Sequence, residues 1–297
     1  MLRDFSALKT KSGVPLKQVG VINPTDSASL LGIFDRRLTK QVVPVLIGDQ
    51  FLIEAQMNKL ELPLDSVQIV NTTPEEAPIR GVRLVREGAV DVLMKGHIQT
   101  SDFLRPIVAK ETGIVADQLL THVALNQVEA YPKLLLTTDG GMVSEPNYDE
   151  KIIIIQHGLE VLKQLGYQSP KVAVLAAAET VNKKVKSSVE AKQLKAYFET
   201  HASIPCDIDG PISFDLAVSP EIAKLKHYES PVAGQADMLV GPDMTAMNLV
   251  GKSMMVFGKG KMAGIVCGAK VPIVMTSRGS NSEEKYLSIL LATLVTP

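Results

Sequence analysis

Short β-branched runs alternate along the chain with longer stretches in which apolar residues recur every three or four positions. The runs are VGVIN (19–23), VPVLIG (43–48), VQIVN (67–71), DVLMKG (91–96), LTHVAL (120–125), LLLTT (134–138), KVAVLAAA (171–178), DMLVGP (237–242), AGIVCG (263–268) and PIVMT (272–276). Helical periodicity follows most of them, at 26–39, 75–88, 101–112, 149–166, 187–200, 243–258 and 282–294. Runs this apolar, separated by helices, predict strands of a mostly parallel sheet buried on both faces. The fold class is α/β, doubly wound. Ten strands are many for one open sheet, so two α/β lobes are expected. The boundary falls near Asp117, after the segment KETG, and the last strand and helix return to the first lobe. That gives a discontinuous first lobe of 1–116 plus 270–297 and a second of 117–269.

Composition narrows the function. With 297 residues, 45% of them apolar, the chain can fill one or two cores. The 31 basic and 32 acidic residues are interspersed, so neither nucleic acid nor an anionic membrane has an electrostatic footprint. Aromatics are 4% with no tryptophan, which argues against stacking platforms for bases. No stretch approaches 18 uninterrupted apolar residues, and MLRDFSALKTKSG lacks the apolar stretch of a signal peptide. Two cysteines, Cys206 and Cys267, suit free structural thiols in a reducing compartment. A cytoplasmic protein is expected.

Open parallel sheets bind ligands beyond the carboxyl ends of their strands, so the residues there carry the candidate chemistry. DVLMKGHIQTSDFLR (91–105) ends a strand in Lys95, Gly96 and His97 and opens a helix at Thr100 or Ser101. A helix N-terminus favours an anion, and Arg105 lies about one turn beyond Ser101. A capped helix with a solvated arginine is the plainer alternative. VPIVMTSRGSNSEEK (271–285) delivers Ser277 and Arg278 to the end of a buried strand, with Glu283 and Glu284 opening the next helix. Ser280 to Glu283 has capping-box spacing, so Ser280 or Ser282 is expected to cap that helix. Arg278 and Arg105 together suggest a two-pronged clamp on phosphate or carboxylate, and a salt bridge from Arg278 to Glu283 or Glu284 is the alternative. Asn248 and Lys252, four apart, share one helix face, which either lines a cleft or faces solvent. The glycines of GKGKMAGIVCG (258–268) fit no phosphate-loop pattern and read as turns. Asp209-Gly210-Pro211 reads as a turn. The five histidines show no metal-ligand spacing.

These segments together resemble the phosphate acetyl/butyryltransferases along nearly the whole chain, and most closely the butyryl branch. The resemblance rests on DVLMKGHIQTSDFLRPIV (91–108), KVAVLAAAETVN (171–182), DGPISFDLAVSPEIAKLK (209–226), SPVAGQADMLVGPD (230–243), NLVGKSMMVF (248–257) and AGIVCGAKVPIVMTSRGSNSEEK (263–285). It implies reversible transfer of an acyl group between coenzyme A and inorganic phosphate, in a cleft between two α/β/α lobes, usually in a homodimer. Coenzyme A and phosphate are then substrates, no tightly bound cofactor is implied, and no metal enters the chemical step. The family's serine-arginine pair falls on Ser277 and Arg278, the arginine of its T-x-x-x-x-R segment on Arg105, and its downstream acid on Glu284. The implied roles are phosphate holding by Arg278 and Arg105, proton removal from the thiol by Glu284, and oxyanion or phosphate positioning by Ser277. Lys95, Gly96, His97, Thr100, Asn248 and Lys252 are implied on the substrate side.

The chain departs from the family pattern twice. A further upstream arginine has no counterpart by motif, although Arg80, Arg83 and Arg86 stand nearby. Met247 replaces a glycine before Asn248, where it is expected to narrow or reshape the acyl or pantetheine pocket. Two other classes stay open at this point. One is a metal- and nicotinamide-dependent decarboxylating dehydrogenase, which should show clustered aspartates that the sequence lacks. The other is a catalytically silent protein that binds coenzyme A or an acyl phosphate.

Overall fold

Strand and helix alternate through the first part of the described chain, and several of the helices begin at a side chain that caps them. The computed structural model describes residues 2–8, 15–65, 67–277 and 279–296. β1 (Lys17–Ile22) leads to α1 (Ser27–Ile33), capped by Asp26. β2 (Val42–Gly48) leads to α2 (Gln50–Lys59), capped by Asp49. β3 (Gln68–Asn71), α3 (Ala77–Arg86), β4 (Val92–Lys95) and α4 (Thr100–Ile107) follow. The pattern missed α2. Only Ile53 and Met57 of its apolar residues are buried, while Phe51 and Leu52 are exposed and blur the period.

A second unit then begins. It holds β5 (Thr121–Gln127), β6 (Leu135–Thr138), α5 (Tyr148–Gln164), β7 (Lys171–Leu175), α6 (Lys186–His201), β8 (Asp207–Ile212), α7 (Phe214–Val218), α8 (Pro220–Leu225), β9 (Met238–Val240) and α9 (Met244–Val256). β10 (Lys261–Cys267), β11 (Ile273–Val274) and α10 (Ser282–Leu294) return to the first unit. The segment read as an Asp-Gly-Pro turn is thus strand β8. Proline is tolerated there because β8 is an edge strand, which pairs with β7 on one side only.

The two units are Lys9–Leu120 with Ala263–Pro297, and Met1–Leu8 with Thr121–Met262. These limits differ from those drawn on pattern. The amino-terminal residues join the second unit because Leu134 N donates to Leu2 O at 2.9 Å and Phe5 N to Gln127 Oε1 at 3.0 Å. Residues 263–269 join the first because Val266 in β10 pairs antiparallel with Ile273 in β11.

In the first unit the strand order is β3-β2-β1-β4-β11-β10, parallel except for β10. Its sheet residues Val19, Val21, Leu46, Leu93 and Ile273 are fully or almost fully buried, and α10 is buried along nearly its whole length against it and α1. Each such aliphatic side chain contributes roughly 1.5–3 kcal/mol on leaving water. In the second unit the order is β5-β6-β9-β7-β8, parallel except for β5. Its core gathers Leu135, Ala173, Ile212, Leu216, Leu239 and Met247.

Candidate active site

β4 and β11 lie side by side and parallel, with Leu93 opposite Ile273 and Met94 opposite Val274. Their carboxyl ends therefore open at one edge of the sheet, where such folds hold ligands. Lys95, Gly96 and His97 leave one strand there, and Thr276 and Ser277 leave the other. The turn after β4 is clamped to the end of β1: Gly96 N donates to Ile22 O and His97 N to Asn23 O, both at 2.9 Å. A Cβ at position 96 would sit 2.4 Å from Ile22 O and 2.7 Å from Asn23 O, so this close approach requires glycine. Lys95 is buried, its Nζ 3.4 Å from Gly96 O. His97 is exposed, with Nδ1 3.4 Å from the Thr25 hydroxyl.

Thr100 is the first residue of α4 and is exposed, as is Arg105. Arg105 donates from Nη2 to Asp102 Oδ1 at 2.8 Å with its side chain three-quarters solvent-exposed. An exposed pair of this kind holds its arginine weakly.

The start of α10 corrects the expected capping. Asn281, not Ser280 or Ser282, is the cap: its Oδ1 accepts from Glu284 N at 2.9 Å. Three residues separate them, the distance at which a cap side chain reaches the third amide of a helix. Ser280 Oγ instead donates to Glu284 Oε1 at 2.6 Å. Glu283 takes part in an ion pair with Arg37, which also pairs with Asp35 and lies 3.7 Å over the Tyr286 ring. Ser277 is exposed; its hydroxyl oxygen accepts from Gly279 N at 3.2 Å and its carbonyl from Ser280 N at 3.1 Å. Arg278 lies outside the described residues.

Asn248 and Lys252 belong to the second unit, exposed on one face of α9. Asn248 Nδ2 donates to Gly140 O at 3.0 Å, tying α9 to the loop after β6. Met247 points the other way. It is buried in the core of its own unit and fills the space that Gly241 leaves open, where a Cβ would lie 2.1 Å from Met247 Cγ. The expected reshaping of a substrate pocket by Met247 therefore gives way to a core-filling role. Burial raises the Cys206 thiol to about 11, aided by Asp207, which leaves it almost wholly protonated near neutrality.

Two features escaped the sequence reading. Asp139 is buried after β6, and its carboxylate accepts from His122 N, Gly141 N and Met142 N, each at 2.8 Å. Burial lowers the pKa of the adjoining His122, against the opposing charge of Asp139. An acid followed by two glycines just past a buried strand was the available signal. The other feature is a pocket of about 750 Å3 in the first unit, between α3 and α4, lined by Arg83, Arg86, His97 and Arg105 among others. Among the described residues no group of three or more His, Cys, Asp or Glu is placed to hold a metal ion. No described helix is long and apolar enough to cross a membrane.

A mostly parallel α/β fold with basic and hydroxyl groups at its strand ends is the framework of an enzyme acting on small anionic molecules. The chain belongs to the phosphate acetyl/butaryl transferase family, which matches residues 66–293. It is 33% identical to the phosphate butyryltransferase of Clostridium beijerinckii over 297 residues, 99% of this chain and 98% of that protein. It is also 33% identical to the phosphate acetyltransferase of Thermotoga maritima, over 94% of this chain and 95% of that protein. A branched-chain phosphotransacylase from Enterococcus faecalis superposes with a TM-score of 0.82 at 29% identity, over 95% of this chain and 99% of that one. The chain is accordingly a phosphate acyltransferase.

Proposed function

We propose that the protein moves a short acyl group, butyryl or a branched C4 chain in preference to acetyl, reversibly between coenzyme A and inorganic phosphate. The observation that carries the site assignment is the parallel pairing of β4 with β11, which brings Lys95, Gly96 and His97 to the same sheet edge as Ser277. Arg278 and Arg105 hold the phosphate or acyl phosphate as fork donors and offset its charge during transfer. Thr100 offers the N-terminal turn of α4, and Lys95 and His97 add donors at that edge. Ser277 positions the phosphate or stabilises the developing oxyanion. Glu284, anchored by Ser280, removes the proton of the coenzyme A thiol. The thiolate attacks the acyl phosphate directly, so no covalent acyl-enzyme and no nucleophilic cysteine are required. Asn248 and Lys252 act on the coenzyme A side. Coenzyme A and phosphate come and go as substrates, and the working form is a cytoplasmic homodimer or larger homo-oligomer.

Thiol release from butyryl-coenzyme A, followed with and without inorganic phosphate, tests this reading. Release that depends on phosphate supports it. Binding without release would make the protein a silent binder of coenzyme A or acyl phosphate instead.

A further inference from the structure

The carboxyl edge of the second unit's sheet has its own polar cluster, which the chemistry at the ends of β4 and β11 does not use. β6, β9 and β7 run parallel, with Thr138 opposite Val240 and Val240 opposite Val174. β5 runs against them, with Val123 opposite Thr138, so it starts where they end. His122 therefore stands at the edge where such sheets hold ligands.

Thr121 and His122 are neighbours on β5 with different surroundings. Thr121 Oγ1 lies 2.8 Å from His157 Nδ1, a buried pair in the core. His122 points to the opposite face. Its Nδ1 is buried with no hydrogen-bond partner among the described residues, while the residue as a whole is partly exposed. Gly141 lies against the ring: a Cβ there would stand 3.1 Å from His122 Cγ and 3.4 Å from Nδ1. A proton on Nδ1 would be a buried donor with nothing to receive it, which folded proteins tolerate less than a bare acceptor. The ring proton therefore belongs on Nε2. Burial lowers the pKa of the ring, against the opposing charge of Asp139, and so favours its neutral form.

The backbone around this ring is fixed from several sides. Asp139 accepts from the amides of His122, Gly141 and Met142, each at 2.8 Å, and Thr138 Oγ1 donates to His122 O at 2.9 Å. Asn248 Nδ2 donates to Gly140 O at 3.0 Å and Met244 N to Ser144 O at 3.1 Å, which pins the same loop to α9. His122 thus shares its loop with Asn248, the residue proposed to act on the coenzyme A side. Phosphate is held best by charged donors, whereas one neutral N–H suits a neutral carbonyl oxygen. Acyl-coenzyme A presents that chemistry in its thioester and in the amides of its arm. We infer that His122 Nε2 donates a hydrogen bond to a carbonyl oxygen of acyl-coenzyme A. The inference rests on the proposed acyl transfer and adds to it a substrate residue from the second unit.

Steady-state rates with butyryl-coenzyme A and phosphate, together with melting temperatures, test it in His122→Gln, His122→Phe and His122→Leu. Glutamine brings an amide N–H close to the place of Nε2. Phenylalanine keeps a ring without a donor, and leucine does so at smaller size should the phenyl ring not fit. The two apolar variants lower kcat/KM for butyryl-coenzyme A about tenfold, the scale of one lost hydrogen bond. His122→Gln keeps most of it, and the KM for phosphate holds in all three. At least one apolar variant melts no lower than the wild type, because it removes a buried polar atom that has no partner. The butyryl thioester of mercaptoethanol, which has no amide, separates the two carbonyls. The same fractional loss with it assigns the bond to the thioester, and a loss confined to butyryl-coenzyme A assigns it to the arm. Wild-type rates in the apolar variants would overturn the inference and leave acyl transfer standing. So would His122→Gln falling as far as His122→Phe, a rise in the KM for phosphate alone, or rate and melting temperature falling together in both apolar variants. If the wild type releases thiol from neither thioester in the presence of phosphate, acyl transfer falls and this assignment with it.

Discussion

Ser280 Oγ donates to Glu284 Oε1 at 2.6 Å, fixing one carboxylate oxygen at the start of α10 while Glu283 beside it is engaged by Arg37. Two adjacent acids thus have different partners, and the proposed general base is Glu284. Glu284→Gln should lower thiol-dependent turnover by roughly 10²–10⁴-fold, the usual effect of losing a general base. The loss should shrink as pH rises towards the thiol's own pKa, and the KM for phosphate should hold. Glu283→Gln should keep turnover and cost about 0–1 kcal/mol of stability. The opposite outcome for the two variants would move the base to Glu283.

Arg278→Lys keeps the charge and loses the fork. A lysine is a point charge and does not reproduce paired donors at a phosphate. Steady-state rates should fall by about 10²-fold or more if transition-state charge is held there, with little change in melting temperature. Near-normal rates with lower stability would make Arg278 a salt-bridge residue.

The strands were legible because each is a short, unbroken apolar run, and every one of the ten found its place within a few residues. What escaped depended on neighbours. β8 carries Asp209-Gly210-Pro211, and only its position at the sheet edge makes proline acceptable. The cap of α10 was displaced because several short polar residues in a row (Ser280, Asn281, Ser282) all have capping chemistry, and only geometry selects among them. The pairing of β4 with β11, separated by more than 170 residues, brings two candidate segments together, and no local pattern announces it. Met247 shows the reverse error: a residue next to a candidate site was given to the site, when helix phase turns it to the core.

Acyl preference should follow the butyryl branch. Each methylene in a fitted apolar site is worth roughly 1–3 kcal/mol, or about 10–200-fold in kcat/KM. A series of acetyl-, propionyl-, butyryl- and isobutyryl-coenzyme A should therefore rise towards C4. A flat or acetyl-favouring series would leave the reaction intact and remove the butyryl assignment.

Met247 and Gly241 should behave as one packing unit. Gly241→Ala places a Cβ against Met247 Cγ and Sδ, at 2.1 and 2.4 Å, so the side chain must move. The cost should be about 1–3 kcal/mol. Met247→Ala alone should cost about 2–5 kcal/mol through the cavity it leaves. In the double variant the added methyl refills part of that cavity, so urea unfolding should give a loss smaller than the sum. Strict additivity would show that the two side chains do not share the space.

Lys285 tests how a buried charge sets the pH response of the first unit. It is buried between α10 and α1, with Nζ 3.1 Å from Ser29 Oγ and 4.0 Å from Asp26 Oδ1. Burial lowers its pKa below 10.5, against the opposing pull of Asp26 and Glu284. Between the folded value and the unfolded one, the unfolded chain keeps a proton that the native state has released. Unfolding therefore takes up a proton in that window, and this residue makes stability rise with pH there. Below the folded value both states are charged, and the native state carries the full cost of burying the ammonium. Lys285→Met keeps the stem and removes that cost, together with one hydrogen bond to a serine. The variant should match or exceed the wild type in stability at neutral pH, because an apolar replacement for a buried ion is often neutral or stabilising. It should also lose the lysine-dependent rise on the alkaline side. A variant markedly less stable at neutral pH, with the rise retained, would show that the Asp26 and Ser29 contacts outweigh desolvation at this site.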